Sequence, residues 1–416
     1  MSSKSSSVCL YLLLLLLVSG TRTAVSHWIV KTLPGFPGEL PFKLETGYIS
    51  VGEVEFFYYF VESEGNPGAD PLLLYFNGGP GCSALNGFLY QIGPLKFNIT
   101  DYTGGLPTLI YEPNTWTKTA NVLFLDAPVG AGFSYATISE AWSASDTKVA
   151  AQAYEFLRNW LIEHSNFVNN MVYLGSDSYQ GLVTPILAQD IINGNEAGIE
   201  PQVNIKGLSL GCPHTNSDLE DNTIVTFAHR MALISDAMYK SAKTSCNGNY
   251  IDSTNPKCTE AVASISQNFD YILFDIWINY KSVQDALHVR PGTVKEVFRC
   301  NITLKSEYSY NVKDAFPYYK NLTSSGLQIL VFSGDHDMTV THIAAEQWIN
   351  SLDLTIDTEW RPWFVDGQVA GYTRRYTNSG YRLTYATIKG AGHSPTEYKR
   401  KECYDMFHRW IHYYPL

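Results

Sequence analysis

Three side chains in this sequence have the chemistry to cleave an acyl bond: a serine, a carboxylate and a histidine, each placed just past a short apolar run. Ser178 lies in Val172-Tyr173-Leu174-Gly175-Ser176-Asp177-Ser178-Tyr179-Gln180-Gly181. The apolar Met171 to Leu174 predicts a strand, Leu182 to Ile192 predicts a helix, and small residues between them predict a sharp turn. A serine on such an elbow is lifted above the sheet. The following helix N-terminus then points at the negative charge that develops during acyl transfer. The match to G-x-S-x-G is approximate, because Ser176 and Gln180 stand two residues either side of Ser178, with Gly175 and Gly181 one step further out. Asp337 follows the apolar run Leu327 to Phe332, in Ser333-Gly334-Asp335-His336-Asp337. His393 follows Leu383 to Ile388, in Lys389-Gly390-Ala391-Gly392-His393, and a helix from about Lys401 to Tyr413 comes next. Singly, these are a polar turn, a turn carboxylate and a loop histidine. At three strand ends, in this order, they predict a nucleophile, an orienting acid and a general base.

The order serine, acid, histidine is that of the α/β-hydrolase fold, not of the chymotrypsin or subtilisin folds. That fold requires a mostly parallel sheet, and the rest of the chain supplies its strands. Glu53 to Val61 is aromatic and partly alternating, and Leu72 to Phe76, Asn121 to Asp126 and Ile205 to Leu210 are short apolar runs. Ala141 to Glu163 predicts the helix that leads into the elbow strand. Strands alternating with helices predict a sheet covered on both faces. Leu72 to Phe76 runs into Asn77-Gly78-Gly79-Pro80-Gly81-Cys82-Ser83. Glycines directly after a buried strand let backbone N–H groups converge. The expected oxyanion hole is the N–H of Gly79 with that of Tyr179, the residue after the nucleophile. A tight structural turn explains the same glycines equally well until the triad is considered. From about 213 to 300 the strand–helix rhythm lapses, with helical stretches at Leu219 to Ile234 and Ser282 to His288. This reads as a helical lid inserted into a single domain spanning 25–416.

The first 24 residues are set apart from that domain. Lys4 precedes an unbroken apolar run of 11 residues, Val8 to Val18, followed by small and polar residues. The run is too short to span a bilayer and reads as a signal peptide, and no later stretch is long enough for a membrane helix. Loss of Lys4 and Arg22 takes the formal charge from −11 to −13. Such an acidic chain argues against a nucleic-acid partner. With Cys9 gone, Cys82, Cys212, Cys246, Cys258, Cys300 and Cys403 remain, and their even number does not fix a pairing. Cys246 and Cys258 are close enough in sequence to close a local loop. No C-x-x-C pair occurs, so neither a zinc ribbon nor another metal site is expected, and no cofactor is implied. Sequons begin at Asn98, Asn301 and Asn321 and are candidate glycan sites in a secretory chain.

Together these motifs closely resemble the serine carboxypeptidase family, its plant serine carboxypeptidase-like branch above all. The resemblance runs from about Ile29 to Leu416 and includes Leu33-Pro34-Gly35-Phe36, Gly47-Tyr48, Val129-Gly130-Ala131-Gly132-Phe133-Ser134-Tyr135 and Arg361-Pro362-Trp363. It implies Ser178 as nucleophile, His393 as general base and acid, Asp337 as the orienting acid, and Asp335 as a carboxylate outside the triad. It also implies that Asn77 and Asp177 hold a substrate carboxylate, and that Cys82 pairs with Cys300. Cys212 and Cys403 are then expected as buried thiols. The expected function is release of C-terminal residues from peptides by a secreted or vacuolar enzyme. The alternatives are an acyltransferase using a glucose ester, which the plant branch contains, and a catalytically impaired variant. Gln180 stands where the family has a smaller residue, Ser176 replaces a glycine and Cys212 an asparagine. Ile272-Leu273-Phe274 runs almost directly into Trp277-Ile278-Asn279, where relatives carry a longer cysteine-bearing loop.

Overall fold

The computed structural model describes residues 27–100, 102–251, 254–263 and 272–416. The expected signal peptide, residues 1–24, lies outside the described residues. The strands in chain order are β1 (His27–Val30), β2 (Leu44–Val51), β3 (Val54–Val61), β4 (Leu72–Phe76), β5 (Leu95–Phe97), β6 (Leu109–Tyr111), β7 (Asn121–Leu125), β8 (Tyr135–Ala136), β9 (Val172–Asp177), β10 (Ile205–Gly211), β11 (Gln328–Gly334), β12 (Thr355–Val365), β13 (Gln368–Asn378) and β14 (Tyr381–Ile388). All but β5 and β6 belong to one sheet, ordered β1-β2-β3-β7-β4-β9-β10-β11-β14-β13-β12, with β8 alongside β3.

The centre of this sheet, from β7 through β4, β9, β10 and β11 to β14, is parallel. Antiparallel hairpins extend it on both sides. Burial explains the composition of the central strands. Every residue of β4, β7 and β11 is buried, and a strand covered on both faces gains nothing from polar alternation. In β4, Leu72, Leu74 and Phe76 enter one core and Leu73 and Tyr75 the other. The first core is closed by the helices Asp146–Glu163, Gln180–Glu196 and His342–Ser351, through Phe156, Trp160, Leu187 and Trp348. The second is closed by the helix Arg400–Ile411 through Cys403, Met406, Phe407 and Trp410. This is the α/β-hydrolase arrangement. Among the described residues no helix is long and apolar enough to cross a membrane.

Between β10 and β11 the chain leaves the sheet. It forms the helices Ser217–Arg230, Asp236–Ser245, Pro256–Ala263, Ile272–Ile278, Lys281–Ala286, Ile302–Glu307 and Phe316–Leu322 before rejoining β10 as its parallel neighbour. Val225, Ala228, Ile234, Ala242, Tyr250 and the cystine of Cys246 and Cys258 form a small core of their own there. A second cystine joins Cys82 to Cys300 across 218 residues. Around it, Ser83 N–H donates to the Arg299 carbonyl at 2.9 Å and Asn301 N–H to the Gly81 carbonyl at 3.0 Å. Cys212 and Cys403 are buried thiols.

Peptide mapping without reductant should therefore recover two cross-linked pairs, Cys82 with Cys300 and Cys246 with Cys258. Removing the first pair with alanines should lower stability by about 2–4 kcal/mol, read as a lower denaturant midpoint. A peptide joining Cys212 to Cys403 would refute this pairing.

Candidate active site

Ser178 follows β9 directly and adopts φ +52°, a left-handed conformation uncommon for a residue with a side chain. Two backbone bonds hold the turn: Ser178 N–H donates to the Gly211 carbonyl at 2.9 Å, and the Ser178 carbonyl accepts from His214 N–H at 2.8 Å. Close approach makes the flanking glycines necessary. A Cβ on Gly175 would lie 2.8 Å from the Tyr75 ring, and one on Gly181 2.6 Å from the His214 carbonyl oxygen. Gln180 is buried at the head of the helix Gln180–Glu196. The larger side chain is accommodated with the elbow formed.

His393 Nε2 lies 2.8 Å from Ser178 Oγ, and His393 Nδ1 lies 2.8 Å from Asp337 Oδ2. A carboxylate oxygen can only accept, so Nδ1 carries the proton. Nε2 is then left as the acceptor of the serine hydroxyl. Asp337 is fixed in turn, because its Oδ1 accepts from the backbone N–H of Thr339 at 2.8 Å and of Val340 at 3.2 Å. The loops bearing Asp337 and His393 meet at Gly334, where a Cβ would come within 2.3 Å of the Ala391 and Gly392 carbonyl oxygens. Asp335 faces elsewhere, accepting from Gly390 N–H and pairing with His336 at 2.7 Å each. Burial pulls the His393 pKa down, but the Asp337 carboxylate outweighs it and the imidazole sits above its ordinary value. The Cys212 thiol adjoins Asp337; burial first, then that carboxylate, hold it far above the ordinary thiol pKa, so it remains a neutral S–H.

The Gly79 and Tyr179 N–H groups have no hydrogen-bond acceptor among the described residues. The glycine loop is pressed against the elbow: a Cβ on Gly78 would lie 2.7 Å from Ser178 Cβ and 3.1 Å from Tyr179 N. Asp126 supports the loop from beneath. It is fully buried and accepts from Ser83 Oγ and Ala84 N–H at 2.7 Å and from Phe133 N–H at 3.0 Å. Burial raises its pKa to about 6 against these donors. Tyr179 is fixed by its hydroxyl, which donates to Asp146 at 2.6 Å.

Asn77 and Asp177 meet through a residue that sequence reasoning missed. Gln91 Nε2 donates to Asp177 Oδ2 at 2.8 Å, and Gln91 Oε1 accepts from Asn77 Nδ2 at 2.9 Å and from the Tyr75 hydroxyl at 2.8 Å. Asp177 Oδ1 also accepts from Gly78 N–H at 2.9 Å and Asn77 Nδ2 at 3.3 Å. Burial raises the Asp177 pKa, opposed first by Gln91 and Gly78 and more weakly by the charges of His393 and Arg299. No motif marks Gln91, Asp126 or Asp146, whose partners are 86, 43 and 33 residues away.

The three sequons differ in setting. Asn321 is exposed and Asn98 partly buried. Asn301 uses its side chain: Oδ1 accepts from Leu304 N–H at 3.1 Å and Nδ2 donates to the Gly130 carbonyl at 2.9 Å.

Comparison with known proteins accords with this architecture. A family model described as serine carboxypeptidase matches residues 34–276 and 268–413. The two stretches overlap at residues 268–276. Serine carboxypeptidase-like 12 of Arabidopsis thaliana is 43 % identical over 428 residues, covering 96 % of this chain and 98 % of that protein. Serine carboxypeptidase-like 17 of the same plant is 44 % identical over 415 residues, covering 93 % of each. Among solved structures, a prohormone-processing carboxypeptidase from Saccharomyces cerevisiae superposes with a TM-score of 0.74 at 18 % identity, over 89 % of this chain and 91 % of that one, a likeness of fold. On the family match and the near full-length relatives, the chain belongs to the serine carboxypeptidase family.

Proposed function

We propose that the protein releases C-terminal residues from peptides. The observation that carries this reading is the hydrogen-bonded line Asp337–His393–Ser178 beside a carboxyl group, Asp177, whose pKa is raised. In this reading His393 Nε2 takes the Ser178 proton as Oγ attacks the scissile carbonyl. The Gly79 and Tyr179 N–H groups receive the oxyanion, and His393 returns the proton to the leaving amine. Water then repeats the cycle on the acyl-enzyme. Asn77 and a protonated Asp177 donate to the α-carboxylate of the substrate. The helices between β10 and β11 serve as the lid, residues 1–24 direct the chain into the secretory pathway, and Asn98 and Asn321 are the sequons open to glycans.

A second reading, acyl transfer from a glucose ester, is favoured by one observation. Asp177 already has three donors around it, Gly78 N–H, Gln91 and Asn77, a set that suits an ionised Asp177 and no substrate carboxylate. The two readings part on pH. If Asp177 must be protonated to bind a carboxylate, KM for a blocked dipeptide should rise with pH, and Asp177→Asn should flatten that rise. His393 must be neutral to act as base, so kcat should fall on the acid side through its raised pKa. A wild-type KM flat from acid to neutral pH would remove the carboxylate clamp. Absence of peptide turnover together with transfer from a glucose ester would put the acyltransferase first.

A further inference from the structure

Away from the catalytic residues, β1, β2 and the end of the helix Asp146–Glu163 bring two histidines and a carboxylate together. His27 Nδ1, a Glu45 oxygen and His164 Nε2 all lie within 4.8 Å of one another. Glu45 and His164 are only 5 % and 7 % exposed. In sequence they stand at 27, 45 and 164, so no ligand spacing announces them.

The polarity of the hydrogen bonds requires a cation in this cluster. His164 Nδ1 is 2.9 Å from the Trp160 carbonyl oxygen, which can only accept, so Nδ1 carries a proton. His164 Nε2 is 2.7 Å from Glu45 Oε1, which already accepts from the Tyr58 hydroxyl at 2.7 Å. In a neutral imidazole, Nε2 would turn a lone pair on a carboxylate oxygen. At 2.7 Å a second proton satisfies both atoms, and a metal ion can take its place only if the two side chains turn slightly apart. A proton leaves His27 unexplained: its Nδ1 is buried and has no hydrogen-bond partner among the described residues. Glu163 Oε2 stands 4.0 Å from that same nitrogen, on a side chain that reaches solvent.

We propose that His27, Glu45 and His164 bind a zinc ion, with Glu163 as the fourth ligand. Two imidazoles with carboxylates suit Zn²⁺ over Mg²⁺ or Ca²⁺. Ligand atoms on a tetrahedral zinc with bonds of about 2.0–2.2 Å lie roughly 3.3–3.6 Å apart, within reach of side-chain rotation from this cluster. The outer contacts fit as well. A metal-bound imidazole commonly donates its other N–H to a backbone carbonyl, as His164 does to Trp160. The His164 ring is also held flat against Trp160, with centroids 4.1 Å apart and planes at 6°. The ion would tie β1 and β2 to the helix that precedes the elbow strand.

The test uses the full chain after chelator treatment, titrated with zinc chloride by calorimetry, with thermal unfolding measured in parallel. One site with Kd of about 10 μM or tighter is expected, together with a zinc-dependent rise in Tm. Magnesium chloride should produce neither. His27→Ala should weaken zinc at least tenfold and shrink the rise in Tm at the same zinc concentration, with the His164–Glu45 contact of the metal-free protein kept. Glu163→Gln, at a half-exposed position, serves where His27→Ala fails to fold, and it should also weaken binding. His408→Ala controls for the neighbouring imidazoles of His408 and His412, whose rings lie 4.6 Å apart. No one-site binding in the wild type, or an affinity that falls with His408→Ala and not with His27→Ala or Glu163→Gln, overturns the proposal.

Discussion

Replacing Ser178 with alanine is expected to lower turnover by about 10⁶-fold with the fold retained. The size of the effect follows from how the three groups act together. His393 is useful only when Ser178 Oγ lies 2.8 Å from its Nε2 and Asp337 fixes its Nδ1 at 2.8 Å. Removing either Ser178 or His393 disables the same proton transfer, so His393→Ala should cost about as much and the double variant little more. Asp337→Asn keeps the shape but removes the charge that holds the tautomer, and should cost about 10⁴-fold. The measurement is kcat/KM on a blocked dipeptide and on a glucose ester, with near-ultraviolet circular dichroism to verify the fold. The same substitutions disable either chemistry, so this result tests the triad and not the choice between them. Near wild-type turnover on both substrates by folded Ser178→Ala would remove Ser178 as the nucleophile.

Gly78→Ala should cost about 10²–10³-fold in kcat, comparable to losing an oxyanion donor. Gly78 itself supplies no oxyanion donor in the proposed mechanism. The added methyl would meet Ser178 Cβ at 2.7 Å, the Asp177 carbonyl oxygen at 3.0 Å and Tyr179 N at 3.1 Å. Two of these are backbone atoms of the elbow, so the contact is relieved only by moving the glycine loop away from the nucleophile. That shift separates Gly79 N–H from Tyr179 N–H. It also strains Gly78 N–H, which donates to Asp177 at 2.9 Å. The loss should appear in kcat for ester and peptide alike, with KM for an uncharged ester nearly constant. A Gly78→Ala enzyme with unchanged kcat would place the oxyanion donors elsewhere.

The parallel strands were legible because burial on both faces leaves a plain apolar run. β4 has the bounds that the sequence predicts, Leu72–Phe76, and β7, β9, β10 and β11 shift by a residue or a few at their ends. The hairpin of β12 and β13 was not read. Its strands are 11 residues each, the first largely exposed and the second of mixed burial, with Asp357, Glu359, Arg374 and Arg375 on them, so no apolar period stands out. A local signal was present: Asp366-Gly367 between the strands, with φ of +48° and +75°, has the chemistry of a tight hairpin turn. The helix predicted from Ala141 begins at Asp146, after a short turn at Ser139–Trp142. Motif residues could be read at the site because each sits at the end of a strand. Gln91, Asp126 and Asp146 belong to no motif, and their roles arise only when distant segments meet.

The helical excursion between β10 and β11 departs from and returns to two strands already paired residue for residue. Its ends are therefore held together by the sheet, whatever its length. The entropy of closing such a loop grows only with the logarithm of its size, about 0.6 kcal/mol for each doubling. In the surface loops of that segment, a change of length therefore costs little chain entropy, whereas a single added methyl at Gly78, Gly175 or Gly334 meets fixed atoms. The same chain thus combines a close-packed frame around Ser178 with a segment whose surface loops can change in length. Under the proposed function, substrate preference would be tuned in that segment while Ser178, His393 and Asp337 keep their places on the sheet.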